Sequence, residues 1–369
     1  MRIGIDARFW HETGVGRYIR NLVSELHKID PEYEFVLFVR QDDLGEIRKS
    51  VTSDKWKIVG TTIRWHSFSE QMLFANILKM EKLDLMHFTY FSVPLLYRDP
   101  FVVTIHDLII NHFATGEATK LPLPLYYLKV RAYRHVISSA AKNSKKIIAV
   151  SEATKQEIID HLNVKDDKVV VTYEGVDPLI SKTKDQRPRT NYGKYFLHVG
   201  NVYPHKNAKR LVDAFEYVYE KDVKLIFVGE KDYFMRKLKK YTEEKNISNI
   251  EFLGFVTDET LGELYKNALA TVVPSLMEGF GLPVLEAMSY GSLVLASDIP
   301  SLREVGGDAP IYVDPLNITS ISAKMQLIVK SDPKDFEGLK SKGLQIVINF
   351  SWRKMAQATI EVYESCLSL

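Results

Sequence analysis

Short apolar runs alternate along most of the chain with segments whose apolar positions recur every three or four residues. That is the alternation of buried strand and amphipathic helix which builds an α/β fold with mainly parallel sheets. Strands are expected at 3–6, 35–39, 85–88, 102–105, 147–150 and 169–172 in the first half, and at 196–199, 225–228, 250–253, 270–273, 294–296 and 311–313 in the second. Each half opens alike, with a strand, a loop holding glycine or proline, and an amphipathic helix (18–26 and 208–217). Between the halves, residues 181–191 are polar and without apolar periodicity, which marks a linker. The pattern predicts two Rossmann-like units, 1–187 and 188–351, facing across a cleft, with no short tandem repeat. The tail from 352 to 369 reads as one more helix.

A length of 369 residues suits two cores better than one. With 46% apolar and 26% charged residues the composition is that of a globular protein, and a formal charge of +2 argues against a general nucleic-acid role. Cys366 is the sole cysteine and has no internal partner, so a reducing compartment is the expected home. Met1-Arg2-Ile3-Gly4-Ile5-Asp6 reads as a strand start without a secretory leader, and no apolar run reaches membrane-spanning length. The expected location is the cytoplasm.

The most informative chemistry lies at 278–286, where Glu278 and Glu286 bracket a glycine-rich turn that follows the 270–273 strand. Pro283 sits where a helix tolerates it, in the first turn, so Glu278 belongs to the loop and Glu286 to the helix. Gly279 and Gly281 let backbone approach a ligand closely, and the amides at the positive end of the helix favour an anion such as phosphate. Carboxylates bind sugar hydroxyls instead. A ligand carrying both groups is a sugar nucleotide; the competing reading is an ordinary loop carboxylate and a surface helix charge.

With Ser275 and the run Ala287-Met288-Ser289-Tyr290-Gly291, this segment resembles the E-x7-E signature of retaining glycosyltransferases of family 4 (GT4). The resemblance covers nearly the whole chain and is strongest over 195–304. It implies a GT-B fold with an acceptor-binding first domain and a donor-binding second domain. It further implies that Glu286 holds ribose hydroxyls, Glu278 holds the donor sugar, and Phe280, Gly281 and Leu282 present backbone amides. The Phe350-Ser351-Trp352 start of the tail is similar to closing helices that cross back to the first domain of such proteins, although periodicity alone fits equally a helix that stays on the second.

Three further loops stand at strand ends, where open parallel sheets bind ligands. His198-Val199-Gly200-Asn201-Val202-Tyr203-Pro204-His205-Lys206-Asn207 offers Lys206 as a point charge for a departing diphosphate. The family usually has an arginine as well in this loop; here Asn201 holds its place, and Arg210 is a candidate for the second cation. Thr13-Gly14-Val15-Gly16-Arg17 is similar to the Asp-Ala-Arg and Thr-Gly-Val-Gly-Arg-Tyr opening common in bacterial members, which implies that Gly14, Val15 and Gly16 offer backbone to diphosphate or acceptor. A plain structural turn is the alternative. His106 and Asp107 end the 102–105 strand, and the resemblance places His106 near the reacting sugar; a purely structural histidine is its rival. The stretch 120–146 interleaves Lys129, Arg131 and Arg134 with Leu123, Leu125, Tyr127 and Leu128, as in a helix packed with its charges outward or one docked on anionic lipid.

Scattered histidines, an isolated cysteine and no Asp-x-Asp motif give no spacing for a metal site, so metal ligands and cofactors are expected to be none. The sequence therefore points to a metal-independent retaining glycosyltransferase that moves a hexosyl group to a saccharide or lipid-linked glycan acceptor. Its Gly-Asn-x-x-Pro-His-Lys-Asn loop resembles bacterial mannosyltransferases of surface polysaccharide synthesis, which implies GDP-mannose as donor. Other readings are the same reaction with a UDP- or dTDP-sugar, a GT-B-like epimerase, a non-catalytic sugar-nucleotide-binding partner, and a glycoside hydrolase using Glu278 and Glu286. The last leaves Lys206 and both glycine loops without a task. Contact with the inner membrane surface is a possible addition; nucleic acid is not an expected partner.

Overall fold

In a computed structural model the chain is described at residues 1–113, 122–176, 192–218 and 222–367. It forms two units, Met1–Gly175 with Trp352–Leu369, and Val176–Ser351. The expected linker at 181–191, and with it the 187/188 boundary, lies outside the described residues.

The first unit is built on β1 (Arg2–Asp6), β2 (Glu34–Arg40), β3 (Trp56–Thr61), β4 (Leu85–Phe88), β5 (Phe101–Ile105), β6 (Lys146–Ala149) and β7 (Val169–Val171). All pair in parallel, in the order β3-β2-β1-β4-β5-β6-β7. β1 sits between β2 and β4, with Ile3 in register with Phe35 on one side and Leu85 on the other. Because helices cover both faces of such a sheet, its inner strands are mostly apolar; β4 and β5 are buried at every position, with His87 and Thr104 as their polar members.

The second unit repeats the plan with β8 (Lys194–Val199), β9 (Val223–Val228), β10 (Ile250–Gly254), β11 (Ala270–Val273), β12 (Val294–Ser297) and β13 (Ile311–Val313), in the order β10-β9-β8-β11-β12-β13. These strands too are parallel. In each sheet the direction of winding reverses beside the first strand, between β1 and β4 and between β8 and β11. A reversal leaves a crevice beyond the carboxyl ends of the two strands, since their following helices depart to opposite faces. The loops after β1, β4, β8 and β11 are therefore where chemistry is to be sought.

The helix Trp352–Leu367 belongs to the first unit. It packs on the helix Gly14–Ile29 and on β4 and β6, burying Trp352, Met355, Ala356, Val362 and Tyr363. A polar chain fixes it there. Tyr363 Oη lies 2.7 Å from His87 Nδ1, His87 Nε2 lies 2.8 Å from Thr104 Oγ1, and Thr104 meets Tyr18 Oη at 3.2 Å. All four residues are buried, and burial pushes His87 down to about 3, so its ring is neutral and both nitrogens serve hydrogen bonds. Tyr33 Oη adds a bond to Glu364 Oε1 at 3.0 Å.

The helix Leu123–Asn143 buries Tyr126, Val130, Ile137, Ala140 and Ala141, while its first turns leave Leu123, Leu125, Tyr127 and Leu128 more than half exposed. Lys120 and Leu121, at the start of the basic segment, lie outside the described residues. Among those that are described, no helix is long and apolar enough to cross a membrane.

Candidate active site

In the second unit, the loops after β8 and β11 meet. After β8 the chain runs through a 3₁₀ turn, Pro204–Lys206, to Asn207, which takes a left-handed conformation (φ 60°) at the start of the helix Ala208–Phe215. Asparagine tolerates this region better than most residues. Its buried amide also donates to Pro274 O at 2.9 Å and Pro315 O at 2.8 Å, so one side chain ties the loops after β8, β11 and β13 together. Leu276 N donates to His205 O at 2.7 Å and closes the seam.

Across it, Lys206 Nζ binds both oxygens of Glu278, at 2.8 and 2.7 Å, and Ser275 Oγ donates to Glu278 Oε1 at 2.6 Å. The Glu278 side chain is only 7% exposed and that of Lys206 19%, so the pair is shielded from water. Burial alone pushes the Glu278 carboxyl up, but the lysine charge and the two donors outweigh it and hold Glu278 below the ordinary carboxylate range. His205 beside them is pushed down to about 4 by burial and by Lys206, and its ring is neutral at physiological pH.

Immediately downstream, Gly281 has φ 106° and opens the helix Leu282–Ser289, with Pro283 in the first turn. That conformation favours glycine, and a Cβ at Gly281 would also come within 2.5 Å of Leu302 Cδ2, which would have to shift. Gly279 lies in the turn before it, and the Phe280 ring is buried edge to face against Phe350, which anchors the stretch whose amides precede the helix. Glu286, on the second turn, is buried and accepts a hydrogen bond from Tyr265 Oη at 2.8 Å; Tyr265 in turn stacks on Tyr290, with ring centroids 5.6 Å apart. The structure thus brings Lys206 and Glu278 into contact and places Gly281, Leu282 and Glu286 on the adjoining helix.

Asn201 and Arg210 fare differently. Asn201 Oδ1 is buried and, among the described residues, has no hydrogen-bond partner. Arg210 turns its guanidinium to Asn207 Oδ1 and Pro315 O, where it braces the loop. Asn207, Ser275, His205 and Tyr265 were not singled out as site residues from sequence. Asn207 and His205 lie in the same motif as Lys206 and could have been found there; Tyr265 lies 21 residues before Glu286, with no local signal.

In the first unit, Gly14 and Val15 start the helix Gly14–Ile29 behind the loop that leaves β1. That loop is held by Arg8, wholly buried, whose Nη2 binds Asp6 Oδ2 at 2.7 Å and Glu70 Oε1 at 2.6 Å. Burial opposes its charge, but the two carboxylates raise it further above its ordinary range. A Cβ at Gly16 would lie 2.6 Å from Trp10 O, whereas one at Gly14 would meet nothing within 4 Å among the described residues. Gly16 therefore serves close packing, whereas Gly14 has open space beside it among the described residues.

His106 follows β5 and is buried. Its Nε2 donates to Thr89 O at 3.0 Å and its Nδ1 lies 3.3 Å from Glu174 Oε1, a carboxylate absent from the sequence expectations. Tyr18 meets the ring edge to face. Asp107 accepts from Ile109 N at 3.0 Å, in the turn that leads into the short helix Ile109–His112. Around the carboxyl ends of β1, β4 and β5, the rings of Phe9, Tyr90 and His106 stand 4.9 and 6.2 Å apart in sequence.

Comparison with known proteins gives two matching family models, glycosyl transferases group 1 over residues 180–344 and glycosyltransferase family 4 over residues 13–178. The O-antigen chain mannosyltransferase B of Escherichia coli is 32% identical over 279 residues, which is 71% of this chain and 70% of that protein. Among solved structures, sucrose-phosphate synthase of Thermosynechococcus elongatus superimposes with a TM-score of 0.82 at 19% identity, covering 100% of this chain and 99% of the other. HepE of Anabaena, solved with UDP and glucose, gives 0.75 at 17% identity over 99% and 100%.

Proposed function

The chain belongs to the glycosyltransferases of family 4 and has their GT-B fold, and from that premise we propose that it moves mannose from GDP-mannose to a saccharide or lipid-linked glycan, with retention and without a metal ion. The observation that carries the site assignment is the Lys206–Glu278 pair, formed where the winding of the second sheet reverses and beside a helix that begins with glycine and bears Glu286. Such a pair suits a ligand with both charge and hydroxyls. Lys206 faces the diphosphate as negative charge builds on the leaving group, and Glu278 accepts from the hexose. Before the donor arrives the two neutralise one another, so that Glu278 does not repel an incoming phosphate. Backbone amides at Gly279, Phe280, Gly281 and Leu282 add donors at the helix end, and Glu286, oriented by Tyr265, accepts from the ribose.

The choice of mannose follows the Escherichia coli relative named for that transfer. A UDP-sugar is the alternative, favoured by the Anabaena neighbour solved with UDP and glucose. In the first unit, buried His106 and the aromatic rings around it suit the face of a sugar acceptor. The exposed Leu123, Leu125, Tyr127 and Leu128, next to Lys129 and Arg131, suit a rim that touches anionic lipid from the cytoplasmic side.

The test is a melting-temperature series with GDP, UDP, dTDP and ADP, followed by transfer from the matching mannose or glucose donor in excess chelator. GDP should raise the melting temperature most, since only the folded chain binds it. The product of GDP-mannose should keep the anomeric configuration of the donor by NMR. Stabilisation by UDP alone would overturn the donor, an inverted product the stereochemistry, and loss of transfer in chelator the metal independence.

A further inference from the structure

We propose that His112, Glu157 and His161, in the first unit, form a binding site for a divalent transition-metal ion of the zinc class. Glu157 and His161 stand four residues apart on the helix Glu152–Leu162, so their side chains leave the same face. His112 ends the short helix Ile109–His112 and reaches the same carboxylate from a different element. Glu157 Oε2 lies 2.7 Å from His112 Nε2 and 3.3 Å from His161 Nε2, and the two imidazoles meet edge to face with centroids 4.9 Å apart. One donor atom from each residue falls within 4.8 Å of the others.

Small side-chain shifts bring these atoms to the spacing a common ion needs. Nitrogen and carboxylate oxygen bind zinc at about 2.0–2.2 Å, so donors around one ion stand roughly 3–4 Å from each other. Two imidazoles and one carboxylate are a set that zinc, cobalt and nickel accept, and three protein ligands leave a position for water. That position has room here, because a cavity of about 300 Å³ opens alongside, lined by Asn111, His112, Arg134, Ser138 and His161 among others. With neutral rings the triad carries one negative charge, which attracts a dication; the nearby Arg134 opposes it and moderates the affinity. Among the described residues, the three side chains make their polar contacts with one another, so a metal would displace no other bond. Bound metal would clasp the helix after β5 to the helix after β6. No step of sugar transfer passes through it.

Spacing along the chain hides the group, because only Glu157 and His161 are near in sequence. The test uses the full chain, stripped with chelator and titrated with Co²⁺ while its visible ligand-field absorption is recorded. One equivalent should bind, Zn²⁺ should displace it, and Zn²⁺ should raise the melting temperature. His112→Ala and His161→Ala should each weaken Co²⁺ by well over about tenfold, the scale on which even outer partners of a bound metal act. Glu157→Gln, nearly isosteric, should do likewise and guards against a folding artefact. Absence of binding by the parent chain, or binding that survives in the doubly substituted His112→Ala/His161→Ala chain, would overturn the proposal. Sugar transfer is not part of the readout, so this result stands apart from the donor assignment.

Discussion

Lys206 and Glu278 illustrate how a single contact joins two loops that are 72 residues apart in the chain. On the function proposed, replacing Lys206 by alanine should lower turnover by at least about 100-fold, since Lys206 would then be the charge that meets the leaving group. Far-UV circular dichroism should be unchanged, and near-normal turnover would refute the role. Gly14 and Gly16 give a second comparison at this scale. Gly16→Ala forces a methyl against backbone carbonyls and should cost about 1–3 kcal/mol of stability by denaturant melts. Gly14→Ala should hold or gain stability by about 0.5–1 kcal/mol, because alanine favours helix. Any loss of transfer in that variant then reports ligand approach rather than folding. Glycines, prolines and charged residues at strand ends were legible in the sequence because their chemistry is local. Tyr265 and Glu174 were not, because only the folded sheet carries them to Glu286 and His106.

Periodicity also read most strands correctly, since fully buried parallel strands are unbroken apolar runs bounded by turn residues. β3 escaped. Trp56-Lys57-Ile58-Val59-Gly60-Thr61 is an edge strand whose lysine and glycine dilute the pattern, and its pairing with β2 supplies what its composition does not. The closing helix was legible as a helix but not in its placement, since an amphipathic face names no partner. What specifies its seat is the buried chain Tyr363, His87, Thr104 and Tyr18. Tyr363→Phe would leave His87 Nδ1 buried without its partner and should cost about 1–3 kcal/mol. Chemical denaturation followed by tryptophan fluorescence, with Trp352 in the same helix, would register it; an unchanged midpoint would mean the bond contributes nothing.

Acid should weaken the whole molecule, because buried groups that resist protonation lie in both units. Burial pushes His87 down to about 3, and His198 and His205 to about 4, from an ordinary 6.5. Below 6.5 the unfolded chain takes up protons that the folded chain refuses, so stability is lost as pH falls from there toward the folded values. Each histidine contributes about 1.4 kcal/mol per pH unit inside that window. Glu278, held below the carboxylate range, acts in the same direction at lower pH. Melting temperatures should therefore drop steeply between pH 6.5 and 4.5, and a flat profile would show the histidines to be solvated.

The closing helix has one more consequence, for a chain emerging from a ribosome. Every strand of the second unit is translated before Trp352, yet the first unit needs residues that come after it. The usual order, in which the amino-terminal domain folds first, should therefore be inverted here. The later half can finish while the earlier half still waits for this helix, with the Tyr18 and His87 seat open until those residues have emerged.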